Sequence, residues 1–316
     1  NHKELPTMNR LASISSKPTL KEFAQGAAQE AIQPVADFIA PTVPVATMNG
    51  RYKVYTEKNR FHIPDTLRAM GGRATELRFD ATDAAFNCEP HALDYPIDNL
   101  ERMEADALED SLREGAVAVA EVAALAHEKK VIDMALAAAG DGTGKTWDSS
   151  ADPVSDIDNQ ILTVLKAAKY GSLMGIGVLF GATAWKIFKN AANVRARFII
   201  GSKSAKSLAV PNEDIASQLF LAQPEVKTSF MVYDSAAEGL AANIGFVLDN
   251  SVLIFARKAN PTRRDPSFMK TFRLMNKFMV PGSYVREDGR AEVAKFDWSE
   301  DVRVTNSAAV VRLNIS

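Results

Sequence analysis

The sequence predicts an α+β fold on three observations. Apolar residues recur at helical spacing from Asp98 to Ala139. The run "LMGIGVLFG" has the length and composition of a strand buried on both faces. At the end of the chain Val311, Leu313 and Ile315 alternate with Arg312 and Asn314, the period of a half-buried strand.

Residues 1 to 50 contain one short helical candidate, "TLKEFAQGAAQEAI", then "QPVADFIAPTVPVATMNG", where prolines separate single apolar residues. Such a segment cannot build a core of its own and is expected to lie on something else. Two extended runs follow, "RYKVYTEKNRFHI" and "RATELRFDATDAAFNC", joined by "PDTLRAMGG". Leu77 and Phe79 alternate there with Glu76, Arg78 and Asp80, so a charged two-stranded hairpin is expected, one that needs a platform.

Asp98 and Glu101 form a capping-box pair after Pro96, and Leu100, Met103, Ala107, Leu108, Leu112, Ala116, Val119, Val122 and Ala126 continue the stripe to a stop at Gly140. This is either one helix of about 40 residues, ~60 Å long, or a pair kinked at Gly115. Ser155 and Asp158 cap a second helix, "DIDNQILTVLKAAKYG", through Ile157, Ile161, Val164, Leu165 and Ala168. After the buried strand, "ATAWKIFKNAANVRARF" resumes helical spacing with Trp185, Phe188 and Val194. "NEDIASQLF" reads as a short helix, and "TSFMVY", "GFVLD" and "SVLIFAR" as short strands.

Composition narrows the function classes. The 316 residues, 47% apolar and 24% charged, suffice for two domains or one elaborate one. A net charge of −2 offers no global field for nucleic acid or an anionic membrane. Cys88, the single cysteine, excludes an intrachain disulfide and suits a reducing cytoplasm; beside Asn87 and Glu89 it reads as a packed residue rather than a nucleophile. His2, His62, His91 and His127 lack metal-ligand spacing. No apolar run approaches the ~18 residues of a membrane span, and no signal-peptide core opens the chain.

"AGDGTGKTWDSS", residues 139 to 150, ends like a phosphate-binding loop. The pattern needs Gly four residues before Gly144, and Ala139 stands there instead. The preceding "VIDMALAAAG" reads as a helix end rather than a strand, so the segment is expected to be a flexible connector. A nucleotide-binding enzyme remains the remote alternative.

The order of arm, exposed hairpin, long helix, mixed α/β region and returning strands resembles the major capsid proteins of tailed bacteriophages, the Hong Kong 97 type fold. "TWDSSADPVSDIDNQI", "LMGIGVLFGATAWKIFKNAANVRARF" and "SVLIFARKANPTRRDPSFMKTFRL" are similar to that family's entry to the first axial helix, its following strand and helix, and its basic Pro-containing turn. The resemblance covers residues ~50 to 316 in order. It implies an N-terminal arm at 1–50, an extended hairpin loop at 51–95, a peripheral domain with a spine helix at 96–150, an axial domain at 151–262 and a β-rich return to the peripheral domain at 263–316. It also implies a structural protein with no cofactor, metal or catalytic residue, not an enzyme. The chain would self-assemble through pentamers and hexamers into an icosahedral head enclosing double-stranded DNA without sequence-specific contacts. Scaffold, portal and decoration proteins are the partners it implies, with no membrane; assembly would occur in the bacterial host cytoplasm and the product would be the virion capsid. An encapsulin-like or gene-transfer-agent shell is the alternative within the same fold.

Candidate subunit contacts follow. On the hairpin they are Lys53, Lys58, Arg60, Arg68, Arg73 and Arg78. Some family members crosslink a hairpin Lys to an Asn of a neighbour, and Asn306 and Asn314 lie in the terminal strands, but spacing assigns them no catalytic role. Arg257, Arg263 and Arg264, with Lys258 and Lys270, make the densest basic patch, suited to packaged DNA or, the reading favoured here, to ion pairs with an acidic segment of another copy. That acidic segment contains Glu104 and Glu109; the acidic helix start (Glu101, Glu104, Asp106, Glu109, Asp110) has the residue types of a divalent-metal site but reads as a solvated helix face suited to the N-terminal dipole.

Overall fold

A computed structural model describes residues 34–55, 66–68, 70–73, 76, 81–98, 100, 108–168, 175–199, 212–237, 239–275 and 280–316. The helical candidate at 19–32 and the alternation at 77–80 lie outside the described residues.

Two five-stranded sheets organise the chain. In the first, β1 (Thr42–Val45) runs parallel to β11 (Met269–Leu274); β11 and β12 (Val280–Val285) pair antiparallel with β13 (Ala291–Val304), and β4 (Glu89–Asp98) lies along the other side of β13. In the second, the order is β5 (Thr143–Lys145), β14 (Val310–Ile315), β10 (Ser251–Arg257), β6 (Gly175–Phe180), β7 (Glu225–Thr228). Two hairpins stand apart, β2 (Asn49–Tyr55) with β3 (Ala81–Asn87) and β8 (Val232–Asp234) with β9 (Ile244–Phe246).

The second sheet carries the main core. β6 and β10 are apolar on both faces because helices cover them. α3 (Pro153–Ala168) lays Ile157, Ile161, Val164 and Ala168 against β10 and β14. Asp152, rather than Ser155, caps it, its carboxylate accepting the Ser155 N–H, while Asp158 accepts the Leu221 N–H at 2.8 Å. α4 (Ala182–Asn190) and α5 (Ala192–Ile199) bury Trp185, Phe188 and Val194. α4 starts where the chain touches the 248–251 turn; a Cβ on Gly181 would lie 2.1 Å from the Asp249 carbonyl oxygen, so only glycine permits the approach. α6 (Glu213–Leu219) is capped by Asn212, whose side chain accepts the Ile215 N–H.

α2 (Leu108–Ala139), 32 residues long, joins the two sheets and continues helical through Gly115. Glycine is needed there for closeness to β4, since a Cβ would lie 2.3 Å from the Tyr95 ring. Ala116, Val119, Ala120, Ala123 and Ala124 pack on Phe296 of the first sheet, whereas Val131, Ile132 and Ala135 enter the main core. His127 and Glu128 sit between these groups, both buried. The buried stripe therefore passes through two ionisable residues, and Val122 and Ala126, expected on it, are exposed.

His127 Nδ1 lies 2.8 Å from Glu300 Oε1, and the Arg273 guanidinium donates to Glu300 Oε2 at 2.9 and 3.2 Å, tying α2 to β13 and β11. Burial alone would push the Glu300 carboxyl up; the hydrogen bond and charge of His127 and the Arg273 guanidinium hold it down at about 2. Glu128 has one long bond, 3.4 Å from the Ser229 hydroxyl, and its Oε2 has no hydrogen-bond partner among the described residues. Burial pushes its carboxyl up to about 7, with the Ser229 bond opposing.

Several expectations are corrected. Residues 34–50 lie on their own chain: α1 (Pro34–Ile39) buries Val35, Phe38 and Ile39 in the main core, and β1 pairs with β11. Each large apolar side chain so buried contributes ~1.5–3 kcal/mol, so removing this segment would damage the subunit itself. Residues 89–98, expected within the hairpin loop and the start of the spine helix, form β4, and the described part of the helix begins at Leu108. The connector contains β5, parallel to β14. β14, expected in the peripheral sheet, pairs with β10 in the second sheet instead.

Candidate subunit interface

The β2–β3 stem is fastened to the first sheet by aromatic stacking. The Phe272 ring of β11 stacks on Phe86 at 4.5 Å and Tyr52 at 5.4 Å, and Val43, Val45 and Cys88 complete this cluster. Cys88 is thus a packed residue, its thiol donating to the Phe272 carbonyl. The Asn87 N–H donates to Asp301 at 2.8 Å, and the Lys53 N–H to the Arg263 carbonyl at 3.1 Å. The stem leaves the body as a rigid root, because its inner faces are covered by aromatic rings.

Beyond the root, polarity changes. Lys53 pairs across the strands with Asp83 at 2.5 Å, holding that carboxyl below its ordinary range. Arg68 and Arg73 are exposed, as are Leu67 and Met70 at 88% and 104%. Lys58, Arg60, Arg78 and Glu104 lie outside the described residues, and Glu109 is described only as helical backbone.

The basic patch divides. Arg257, expected at a subunit contact, is an internal brace: its Nε donates to the Phe38 carbonyl at 3.0 Å, its guanidinium covers the Phe38 ring, and it pairs with Glu225. Lys270 is wholly buried, donating to the Thr262 carbonyl at 2.8 Å beside Asp265. Arg263 is half-buried over the Phe86 ring, and Arg264 is exposed. The asparagines also act within the chain, Asn306 donating to the Pro266 carbonyl, and Asn314 donating to the Asp141 carbonyl and accepting from Ser251. Sequence reasoning missed Phe272 as the platform; "MKTFRL" holds one ring among mixed neighbours, and its partners lie far away in sequence.

The phosphate-loop-like string is built differently from such a loop. A helix precedes it, and Asp156 accepts from both Lys145 Nζ at 2.7 Å and Trp147 Nε1 at 3.1 Å. Lys145 thereby pins β5 to α3. Among the described residues no group of three His, Cys, Asp or Glu side chains could hold a metal, and no helix is long and apolar enough to cross a membrane.

No family model matches the chain. A 63-residue stretch is 35% identical to a protein named major capsid protein from Pseudomonas phage JBD67, a match spanning about a fifth (20%) of each chain. Among solved structures, a phage-related protein from Bordetella bronchiseptica RB50 is similar at TM-score 0.65 and 17% identity, over 95% of this chain and 97% of that one. The SrpI encapsulin of Synechococcus elongatus PCC 7942 gives 0.54 and 12%, over 90% and 88%. A bacteriophage PhiM1 mature capsid chain gives 0.52 and 11%, over 89% and 86%. These likenesses establish the architecture: the chain has the Hong Kong 97 type fold shared by tailed-phage capsid proteins and encapsulin shells.

Proposed function

We propose that this chain is the major capsid protein of a tailed bacteriophage, many copies of which close into an icosahedral head around double-stranded DNA. The observation that carries the reading is the 35% identity over 63 residues to a protein named major capsid protein, in a chain of which the PhiM1 capsid and SrpI encapsulin likenesses cover 89% and 90%. The physical layout supports it. The β2–β3 stem is rooted on the first sheet, and the exposed Arg68, Arg73 and Arg264 are suited to rim ion pairs with other copies. Contacts of this heterologous kind close into rings when the rotation per copy allows, here five- and six-membered ones. Scaffold and portal proteins would supply nucleation and a DNA entrance, decoration proteins would bind outside, and the completed particle would be the virion capsid.

A second reading, an encapsulin-like compartment, is favoured by the SrpI likeness. Expressing the chain with its neighbouring genes in bacteria, then purifying particles for electron microscopy and nuclease-protection assay, separates the readings. Closed shells holding nuclease-resistant double-stranded DNA are expected. Shells filled with protein would replace the phage reading by the compartment reading, and a lack of any closed particle would overturn both.

A further inference from the structure

The segment from Ser229 to Leu248 leaves the second sheet and returns as the β8–β9 hairpin. Its inner face is occupied: Met231 and Tyr233 pack on the main core, the Lys129 ammonium lies 4.8 Å from the Tyr233 ring centre, and Val247 and Leu248 are buried. Among the described residues nothing covers the outer face. Phe230, Val232, Ile244 and Phe246 are 61%, 47%, 68% and 42% exposed, and Leu240 in the turn is 72% exposed. Val232 stands opposite Phe246 and Asp234 opposite Ile244, so Val232, Phe246 and Ile244 share one side of the pleat.

"FMVY" is apolar at each of its positions, as in strands covered on both faces, yet the chain covers one. The turn is firmly made, because the Asp234 carboxylate accepts the Ala236 and Asn243 N–H groups at 2.9 and 2.8 Å and the Asn243 amide donates to Ser235. The outer side chains together expose apolar surface on the order of 500 Å², the range in which a patch marks a contact site. From Thr228 to Ala256 the sequence has no Lys or Arg, so the face offers nothing to a phosphate backbone or an anionic bilayer. A protein surface is the cover that remains. The patch supplies more than half of the ~800 Å² that each partner contributes to a standard interface.

We propose that an adjoining copy of this same chain covers the outer face of the β8–β9 hairpin. The inference rests on the shell reading, which places copies of the chain side by side at fixed orientation.

The test uses particles formed by the purified full-length chain alone. Ile244→Cys is introduced in a Cys88→Ala background, and thiol labelling is timed in assembled and dissociated protein. Labelling at least tenfold slower in particles is expected; equal rates overturn the proposal while leaving the shell reading intact. Ile244→Arg combined with Phe246→Ser is expected to cut particle yield at least tenfold with an unchanged circular dichroism spectrum, and normal yield counts against the proposal. Where that variant misfolds, the labelling rates decide. Failure of the wild-type chain to form particles, both alone and when expressed with its neighbouring genes, overturns the shell reading and this proposal together.

Discussion

α2 meets the two sheets in opposite ways. Toward the first sheet, the Glu300 carboxylate is held at both oxygens, by His127 Nδ1 and the Arg273 guanidinium; one residue after His127, Glu128 turns a carboxyl with an unpartnered oxygen toward Ser229 at the edge of the main core. Two buried glutamates on either side of one helix are thus displaced in opposite directions, to about 2 and about 7. The difference shows that burial by itself does not fix the charge of a carboxyl; the donors that accompany it do.

The largest way to break the contrast is Arg273→Met, which leaves Glu300 buried with half its support and should lower the unfolding free energy by about 3–5 kcal/mol, read by urea titration at pH 7. Acid should act on the same site. Because the Glu300 carboxyl lies at about 2 in the folded chain against 4.5 ordinarily, its contribution is complete above pH 4.5 and is lost as pH falls toward 2. That swing is about 3 kcal/mol, and urea titrations from pH 5 to 2 should flatten in the Arg273→Met chain.

Glu128 should give the opposite slope. Its folded value of about 7 lies above 4.5, so its contribution is complete below pH 4.5 and is lost as pH rises through 7. Glu128→Gln removes the dependence and should stabilise the chain at pH 8 by about 2–3 kcal/mol, with no gain at pH 4. Equal slopes for variant and wild type would show that Glu128 is neutral or paired throughout. The smallest effect is expected at the exposed Lys53–Asp83 pair, where Lys53→Ala should leave the thermal midpoint unchanged within error, as solvent screens such a bridge.

The same network explains a limit of sequence reading. The helix was legible from its length and apolar spacing, but His127 and Glu128 hid the true stripe, so Val122 and Ala126 were placed on it instead. β6, β10 and α3 were readable because their burial is written in local runs and periods. β4 was not: Pro90 and Pro96 argue against a strand, and the position is tolerated because β13 is its only strand partner among the described residues. β14 shows a strand's alternation, yet nothing local says which sheet receives it. The β2–β3 pairing was legible from its extended runs, whereas Arg257 looked like surface because Phe38 and Glu225, which engage it, are remote in sequence.

The seam between the sheets has a mechanical consequence. The chain crosses it at Ala40–Pro41, between β10 and β11, and between β13 and β14, and the crossings are laced together: the Phe268 carbonyl accepts the Thr305 and Asn306 N–H groups, and the Thr271 hydroxyl donates to the Ala40 carbonyl. Tension pulling one sheet away from the other is divided among these three crossings, braced side by side, and α2, which also joins the sheets. A wall made of such plates would yield first at the joints between plates, not across them.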